Sequence, residues 1–377
     1  MCRLFMTVVL AIIAASPASA RTWSVEKDGS GDFTVLQDAL DASADGDTIL
    51  VGPGRFDDFR YAITNVSGFE FQSVALVRTD VVMIGSGRDQ TFVGPPDYVG
   101  EVEGLLASSL YVDGGAETQI SGFTFDNTYG IVTIRHKTIF EDNRVDGSRK
   151  DRFATYNVAI LNGSSPEFRD CEFIGEDNII SSGVNGLLVE DCTFIDDTLD
   201  GTGVSVGGGA DVTVRRCQFE GGALGISFYF GAIGRIEDCE FPNPSFGGIS
   251  MGGGLMIAED LYIGTSRQPV RCAIGRIEIY NSYIEGGTQY TIATTGEVFA
   301  RGCTILSASE FTVTGPSAPD RVVDLRENWW GTNDIELIRS RIDDRNGMIL
   351  LEPILADPVS DATTSFGGLK SRFRHDE

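Results

Sequence analysis

The sequence repeats one short segment four times, as FRDCEF (168–173), VEDCTF (189–194), VRRCQF (214–219) and IEDCEF (236–241). Each copy has a cysteine near its centre, and the steps between the cysteines are 21, 25 and 22 residues. The surrounding pattern extends this position in both directions, to Phe123, Asn143, Cys171, Cys192, Cys217, Cys239, Leu261, Ser282, Cys303 and Asn328. A period near 22 residues over this length indicates a repeat architecture.

A second series of apolar residues has the same period, at Val184, Val204, Ile226, Ile249, Val270 and Ile292. Short alternating segments such as 212–214 and 276–279, separated by Gly, Asn or Asp, are typical of strands and turns. One coil cannot bury its own apolar face, but stacked coils can, because each strand pairs with copies about 4.8 Å above and below. The sequence therefore predicts an all-β fold, a parallel β-helix with about 22 residues per coil.

Both ends of such a solenoid must be closed, because open rungs would pair with other chains. Apolar residues at helical spacing in 33–42, after Asp32, predict a short amphipathic helix over the first rung. The same spacing in 334–343, after Asn333, predicts a second helix near the last rung, followed by a final strand at 348–351.

The period, the stacked Asn/Cys/Ser corner and the segment ENWWGT (327–332) resemble the right-handed parallel β-helix proteins of the pectin-lyase-like superfamily. Residues 23–56 resemble the opening of pectin methylesterases. The resemblance covers nearly all of the chain after residue 20. It implies a right-handed helix and a polysaccharide partner.

Pectin methylesterases carry two catalytic aspartates on neighbouring coils, and the resemblance aligns these positions with Ser205 and Ser227. Serine cannot replace a carboxylate in paired acid–base chemistry at neutral pH. The family's Leu-Gly-Arg-Pro-Trp stretch is also missing, so methylesterase activity is disfavoured. Motifs of uronate lyases and galacturonases are not found either.

Residues 1–20 combine Arg3, an apolar run and a small-residue Ala18-Ser-Ala ending, which is typical of a secretory signal peptide. We therefore expect secretion, to the cell exterior or the periplasm. Residues 21–358 are predicted to form one β-helix domain, and 359–377, polar and without periodicity, a flexible tail. No later segment has the roughly 18 apolar residues of a membrane span.

The net charge is −26, from 29 basic and 55 acidic residues. Such a surface repels phosphate backbones, so a nucleic-acid partner is not expected. An acidic polysaccharide could bind only at local basic spots or through metal ions. The basic cluster Arg149, Lys150 and Arg152, in the long insertion after Asn143, is our candidate contact for an anionic sugar. The alternative is a solvated loop.

The cysteines pose a choice between disulfides, a metal site and packing. Thiols stacked on adjacent rungs keep their Cβ atoms about 4.8 Å apart, whereas a disulfide needs about 3.8 Å. The close C-x-x-C pairs of zinc sites do not occur. We therefore predict a ladder of buried free thiols, with bridges as the alternative.

Ser205 and Ser250 lie in G-x-S-x-G segments, the pattern of a hydrolase nucleophile. However, Ser205, Ser227 and Ser250 are one coil apart and each follows a residue of the second series, which predicts a repeated outward column. A nucleophilic serine also needs a histidine as its base, and the chain has only His136 and His375, the latter in the C-terminal tail. We therefore interpret the serines as candidate substrate-binding residues.

Aspartates provide two candidate calcium sites, since calcium prefers oxygen ligands. One pairs Asp238 with Asp260 on adjacent rungs, and the other groups Asp196, Asp197 and Asp200 in one loop. Solvated or turn-bonded aspartates are the alternative in both places. No other cofactor is indicated.

These patterns, with the resemblance, predict a secreted protein that binds or processes a polysaccharide, with an acidic (uronate) glycan as the candidate. If the protein is an enzyme, a polysaccharide lyase or carbohydrate hydrolase is expected. The alternative is a non-catalytic surface or matrix protein that uses the rod as a spacer or for adhesion. This functional step rests on analogy of fold.

Overall fold

The computed structural model describes residues 20–64, 70–114, 117–126, 129–134, 137–147, 157–161, 163–184, 186–196, 201–309, 312–315, 321–344 and 346–358. Its strands follow one another in stacked parallel coils with three faces, which we call A, B and C. The predicted right-handed parallel β-helix is confirmed. Since almost every strand pairs with the coil before and the coil after, the backbone hydrogen bonds run along the axis of the rod.

Face A is an 11-stranded sheet of Gly54–Phe56, Thr91–Val93, Thr124–Asp126, Arg144–Asp146, Glu172–Ile174, Thr193–Asp196, Gln218–Gly221, Glu240–Phe241, Tyr262–Ile263, Tyr283–Ile284 and Thr304–Ile305. Face B contains Tyr61–Thr64, Glu70–Val77, Glu101–Val102, Leu105–Val112, Tyr129–Ile134, Val158–Leu161, Ile179–Ser182, Thr202–Gly207, Ile292–Thr294, Val313–Thr314 and Ile342–Asp343. Face C contains Thr22–Val25, Thr48–Val51, Val82–Gly85, Glu117–Ser121, Lys137–Glu141, Glu167–Arg169, Leu187–Glu190, Asp211–Arg215, Glu297–Arg301, Val323–Asp324 and Ile349–Leu350. Three long strands, Leu224–Glu237, Gly247–Glu259 and Val270–Tyr280, run through face B, bend, and continue into face C.

Like side chains stack on like side chains inside the rod. On face A, Phe173, Phe194, Phe219 and Phe241 occupy successive coils, with ring centroids 4.8, 4.5 and 4.8 Å apart. These distances match the rung spacing of about 4.8 Å, so the sheet itself sets the separation of the rings. The rings are buried, and the column forms one wall of a continuous apolar core.

The corner between faces C and A has the same backbone shape in most coils. The residue before the cysteine position has a φ of 51° to 55° in Asp170, Asp191, Arg216, Asp238 and Asp260. Asp and Asn tolerate this left-handed conformation better than most residues, and glycine takes it in two other coils, at Gly122 and Gly302. The acidic residues of this column therefore have a structural reason to be there.

The cysteine position follows this corner and points into the rod. The Cys217 thiol donates to the carbonyl oxygens of Val189 at 3.6 Å and Arg215 at 3.3 Å. In an earlier coil, Asn143 serves the same carbonyl position through its amide and also accepts a bond from the backbone N–H of Phe123 at 3.0 Å. The six cysteines of the described residues are free and buried, as predicted. The repeated cysteine is thus a small apolar residue with a weak donor for the turn.

The second series is confirmed from Val204 onwards, but its first member was wrong. Ile179, rather than Val184, pairs with Val204. Val184 lies in the turn after the strand Ile179–Ser182. Constant spacing misplaced it because this coil is longer than its neighbours, with a step of 25 residues from Ile179 to Val204.

The N-terminal helix is confirmed as Leu36–Ala42, which buries its apolar side against the first coils. Asp32 does not cap it. The helix begins after Val35, which makes no side-chain cap bond, and Asp32 instead accepts bonds from the backbone N–H and hydroxyl of Ser24 at 2.9 and 2.8 Å.

The C-terminal helix is confirmed as Ile335–Ser340, and its N-cap is Asp334 rather than Asn333. The Asp334 carboxylate accepts from two backbone N–H groups of the first turn, which Asn333, one residue earlier, does not. The last strand, Ile349–Leu350, pairs with Val323–Asp324. Neither helix of the described chain is long and apolar enough to cross a membrane.

Candidate functional site

The outward side chains of face B change character halfway along the rod. One column runs through paired positions of successive coils: Leu76, Tyr111, Val132, Ala159, Ile180, Ser205, Ser227, Ser250 and Arg271. The first members are apolar, and Tyr111 and Val132 have no exposed surface. The column becomes polar at Ser205. We call the stretch from Ser205 to Arg271 the open half of face B.

The three serines lie on adjacent rungs, so their predicted one-per-coil spacing is correct. The Ser205 hydroxyl is hydrogen-bonded to the phenol of Tyr229, which belongs to the next coil. Ser227 is half-buried, and Ser250 is 6 % exposed. The serines therefore form a polar floor with limited exposure, and their role in binding stays a prediction.

A cleft of about 320 Å³ continues this column at Arg271. The turns that connect face A to face B supply its other wall, because these turns also stack coil upon coil. The backbone N–H of Arg267 bonds to the carbonyl of Ser245 at 3.3 Å, and that of Gln289 bonds to the carbonyl of Arg267 at 3.1 Å. We call this site the arginine cleft.

Two guanidinium groups flank one aromatic ring in the arginine cleft. The Cζ atoms of Arg267 and Arg271 lie 5.5 and 5.9 Å from the centroid of the Phe246 ring, within cation–π range. The Arg267 Nε–H also donates to Oε1 of Gln289 at 2.9 Å, an oxygen that Gln268 shares at 3.0 Å. The ring contacts both arginines and the Gln289 amide accepts from Arg267, and neither contact neutralises their charge.

Most arginines elsewhere on the rod are paired with acids. Arg216, for example, donates to both carboxylate oxygens of Asp191 in the adjacent coil, at 2.8 and 2.9 Å, and also contacts Glu190. Over the residues that the structure describes, neither Arg267 nor Arg271 has a carboxylate within ion-pair distance. The arginine cleft therefore carries uncompensated positive charge on an otherwise acidic protein.

A thiol also lines the arginine cleft but is chemically quiet. Cys272 has no exposed surface, and burial raises its pKa to about 11. Since the thiolate is the reactive form, this cysteine is not a nucleophile at neutral pH.

The two candidate calcium sites are only partly visible. Asp238 and Asp260 lie on adjacent rungs, and burial together with the charge of Asp238 raises the pKa of Asp260. Asp196 ends the strand Thr193–Asp196, whereas Asp197 and Asp200 lie outside the described residues. Among the described residues, no group of three or more His, Cys, Asp or Glu side chains is arranged to hold a metal.

The predicted basic cluster cannot be placed, because Arg149, Lys150 and Arg152 lie outside the described residues. The sequence-based reasoning missed the arginine cleft. A signal was available, since Arg271 follows Val270 as Ser250 follows Ile249 in the preceding coil. Extending the serine column by one coil would have found it. Phe246 and Arg267 left no such signal, because they lie in turns of irregular length.

Comparisons with known proteins agree with the fold. A family model described as "Right handed beta helix region" matches residues 108–260 and 202–347, which together span more than half of the chain. No curated protein is significantly similar in sequence.

Similar solved structures share low sequence identity with this chain. The A-module of the Azotobacter vinelandii mannuronan C-5 epimerase AlgE6 is 11 % identical, with 85 % of this chain and 93 % of that chain covered and a TM-score of 0.40. The A-module of AlgE4 from the same organism is 11 % identical, with 85 % and 91 % covered and a TM-score of 0.41. A pectin methylesterase from carrot is 12 % identical, with 91 % and 89 % covered and a TM-score of 0.30.

Proposed function

The chain belongs to the family of right-handed β-helix proteins, and we propose that it binds an acidic polysaccharide along the open half of face B. One observation carries the proposal: the two arginines of the arginine cleft have no carboxylate partner among the described residues. A uronate carboxylate is the planar anion that guanidinium groups hold best, through paired hydrogen bonds.

The net negative charge of the chain limits where an acidic glycan can bind. A net charge of −26 repels a polyanion at long range, so an acidic glycan can bind only where positive charge is concentrated. Arg267 and Arg271 provide that concentration, Phe246 offers an apolar surface, and the amide of Gln268 offers hydrogen bonds. The stacked coils repeat outward positions along the rod, which suits an extended polymer rather than a compact ligand.

The test is a pair of single variants, Arg267→Ala and Arg271→Ala, measured by calorimetric titration with uronate oligomers at low salt. Each charged hydrogen bond is worth enough that we expect a loss of affinity of about tenfold or more per variant. Arg235→Ala is the matched control, because Arg235 is an exposed arginine of face C that pairs with Glu237. Unchanged binding in both cleft variants would refute the proposal.

A protein that processes the polysaccharide releases products, whereas a protein that only binds it does not. Turnover of uronate polymers by wild-type protein, followed through unsaturated products for a lyase and reducing ends for a hydrolase, would add catalysis to binding. Absence of any glycan binding by the intact protein would favour the alternative, a surface or matrix spacer. The cleft charges favour the binding protein over the spacer, since a spacer has no use for unpaired arginines.

Secretion and calcium remain proposals that accompany this function. A protein exported through residues 1–20 would meet polysaccharides outside the cell, and N-terminal sequencing of the exported protein would locate the cleavage. Calcium would reduce the repulsion between Asp238 and Asp260, with water completing its ligands.

A further inference from the structure

Exposed apolar side chains lie at the bend between faces B and C, beside the open half of face B, and we call the gap between Phe230 and Ile274 the slot. Phe230 is 81 % exposed, Ile274 57 % and Ile233 53 %. Exposed large apolar side chains that cluster in this way indicate a contact surface. Phe230 also has a φ of 53°, a conformation that a bulky residue adopts at some cost in stability.

Glycines make the floor of the slot. Tyr229 pairs with Gly252 of the next coil, and Gly252 pairs with Ile274 of the coil after that. Residues 252–254 are all glycine, so the coil between Phe230 and Ile274 carries no side chain at this corner. A Cβ atom added to Gly253 would lie 3.5 Å from the backbone nitrogen of Phe230, in van der Waals contact with the preceding coil.

The slot has room for one ring. Phe230 and Ile274 are two rungs apart, or about 10 Å along the axis. A flat ring in van der Waals contact with a wall on each side needs about 7–8 Å. The two-rung spacing therefore leaves room for one sugar ring between the two side chains and is too short for a helix, which with its side chains is about 10–12 Å across.

The slot also lies next to the anion-binding groups. Ile274 follows Arg271 by three residues on the strand Val270–Tyr280, a separation of about 10 Å. On the slot's other wall, the Phe230 ring packs edge-on against Tyr229, with centroids 5.5 Å apart, and the Tyr229 phenol bonds to Ser205. One strand therefore connects the arginine cleft to the slot.

We propose that Phe230 and Ile274 form a second subsite that binds the apolar C–H face of a sugar ring in the same glycan chain whose carboxylate is held by Arg271. This inference rests on the proposed function. A second copy of the chain is the weaker candidate occupant, because two bodies of net charge −26 repel each other. The ligand must then span both subsites, so oligomers should bind more tightly than single uronate units.

The experiment titrates uronate oligomers of increasing length into wild-type protein, Phe230→Ala and Phe230→Gly. For wild-type protein we expect affinity to increase with length until the oligomer spans both subsites. Both variants should lose that increase, about fivefold to tenfold, and keep the weak binding of the shortest oligomers. Phe230→Gly suits the positive φ, so its result is independent of backbone strain. Ile84→Ala, an exposed isoleucine of face C, is the control.

The titrations of the Phe230 variants distinguish failure of the slot proposal from failure of the proposed function. If both Phe230 variants bind every oligomer as the wild type does, the slot is not a subsite. If wild-type protein binds no uronate oligomer, the proposed function fails, and the same variants are then titrated with neutral oligosaccharides. Weaker neutral binding in the variants would keep the slot as a sugar site, and no neutral binding would overturn it. A change in sedimentation rate in Phe230→Ala would instead assign the slot to a second copy.

Discussion

Replacing one phenylalanine of the face A column tests whether the coils stack in the register described. Phe194 lies between Phe173 and Phe219, with ring centroids 4.8 and 4.5 Å away and interplanar angles of 10° and 4°. Only 2 % of its surface is exposed. Phe194→Ala therefore removes a ring that packs against the coil before and the coil after. It leaves a cavity that the neighbouring coils cannot close, because their hydrogen-bonded strands hold them in place.

The expected loss of unfolding free energy in Phe194→Ala follows from the burial of this ring. A buried phenylalanine replaced by alanine typically lowers the free energy of unfolding by about 3–5 kcal/mol. We expect the upper half of this range, because each stacked pair adds about 0.5–1.5 kcal/mol beyond the buried area. Phe194→Leu keeps most of the apolar volume and loses the stacking, so its loss should be about 1–2 kcal/mol.

The measurement is guanidinium denaturation followed by far-ultraviolet circular dichroism and by fluorescence, whose transitions must coincide for a free energy to be derived. Phe230→Ala is the matched control, since it makes the same change at an 81 % exposed site and should alter stability by less than about 0.5 kcal/mol. A loss below about 1 kcal/mol for Phe194→Ala, or equal losses at both sites, would refute the register.

Two further predictions concern carboxylates. Hydrogen bonds from Arg326, and then from Arg301, hold the pKa of the buried Asp324 well below its usual range. Because the folded-state pKa is depressed, this stabilisation is complete above the unfolded value of about 3.9 and is lost as pH falls towards the folded value. Asp324→Asn should therefore lower the unfolding free energy by about 1–3 kcal/mol at pH 7, with a difference that shrinks below pH 4, and a pH-independent difference would contradict this. Calcium should raise the Tm of wild-type protein by about 1–3 °C over EDTA but not that of Asp260→Asn, and equal shifts would exclude the Asp238–Asp260 site.

The repeat made the fold predictable because stacking imposes the same demands on every coil. Each coil needs an inward residue at the cysteine position and a left-handed residue before it, so Asp191 before Cys192 and Arg216 before Cys217 share one backbone conformation. The sequence predicted where the two end helices lie but not which residue caps each helix. Asp32 and Asp334 are both short acidic residues near a helix start, and only the backbone geometry decides that the second one caps its helix.

The candidate site was less predictable because it depends on the turns rather than on the strands. Strand positions keep the period, so Ser205 and Ser227 could be placed in one column from the sequence. The turns between faces A and B vary in length, and Phe246 and Arg267 have no fixed offset from any repeated residue. Their meeting around Arg271 is a consequence of coil stacking that only the three-dimensional register reveals.

Arginines that are paired with acids stabilise the rod, whereas arginines without an acidic partner are available to bind a ligand. At the corner between faces C and A, Arg216 is bound to Asp191 and Glu190, so its charge is used up in holding adjacent coils together. On face B the solenoid presents arginine without an acid on the neighbouring rungs, although acidic residues outnumber basic ones by 55 to 29. An acidic chain that leaves Arg271 without a carboxylate partner among its described residues keeps that charge available for an anion from outside. The same reasoning applies to the exposed Phe230, and the two residues lie on one continuous surface, so a single extended ligand accounts for both.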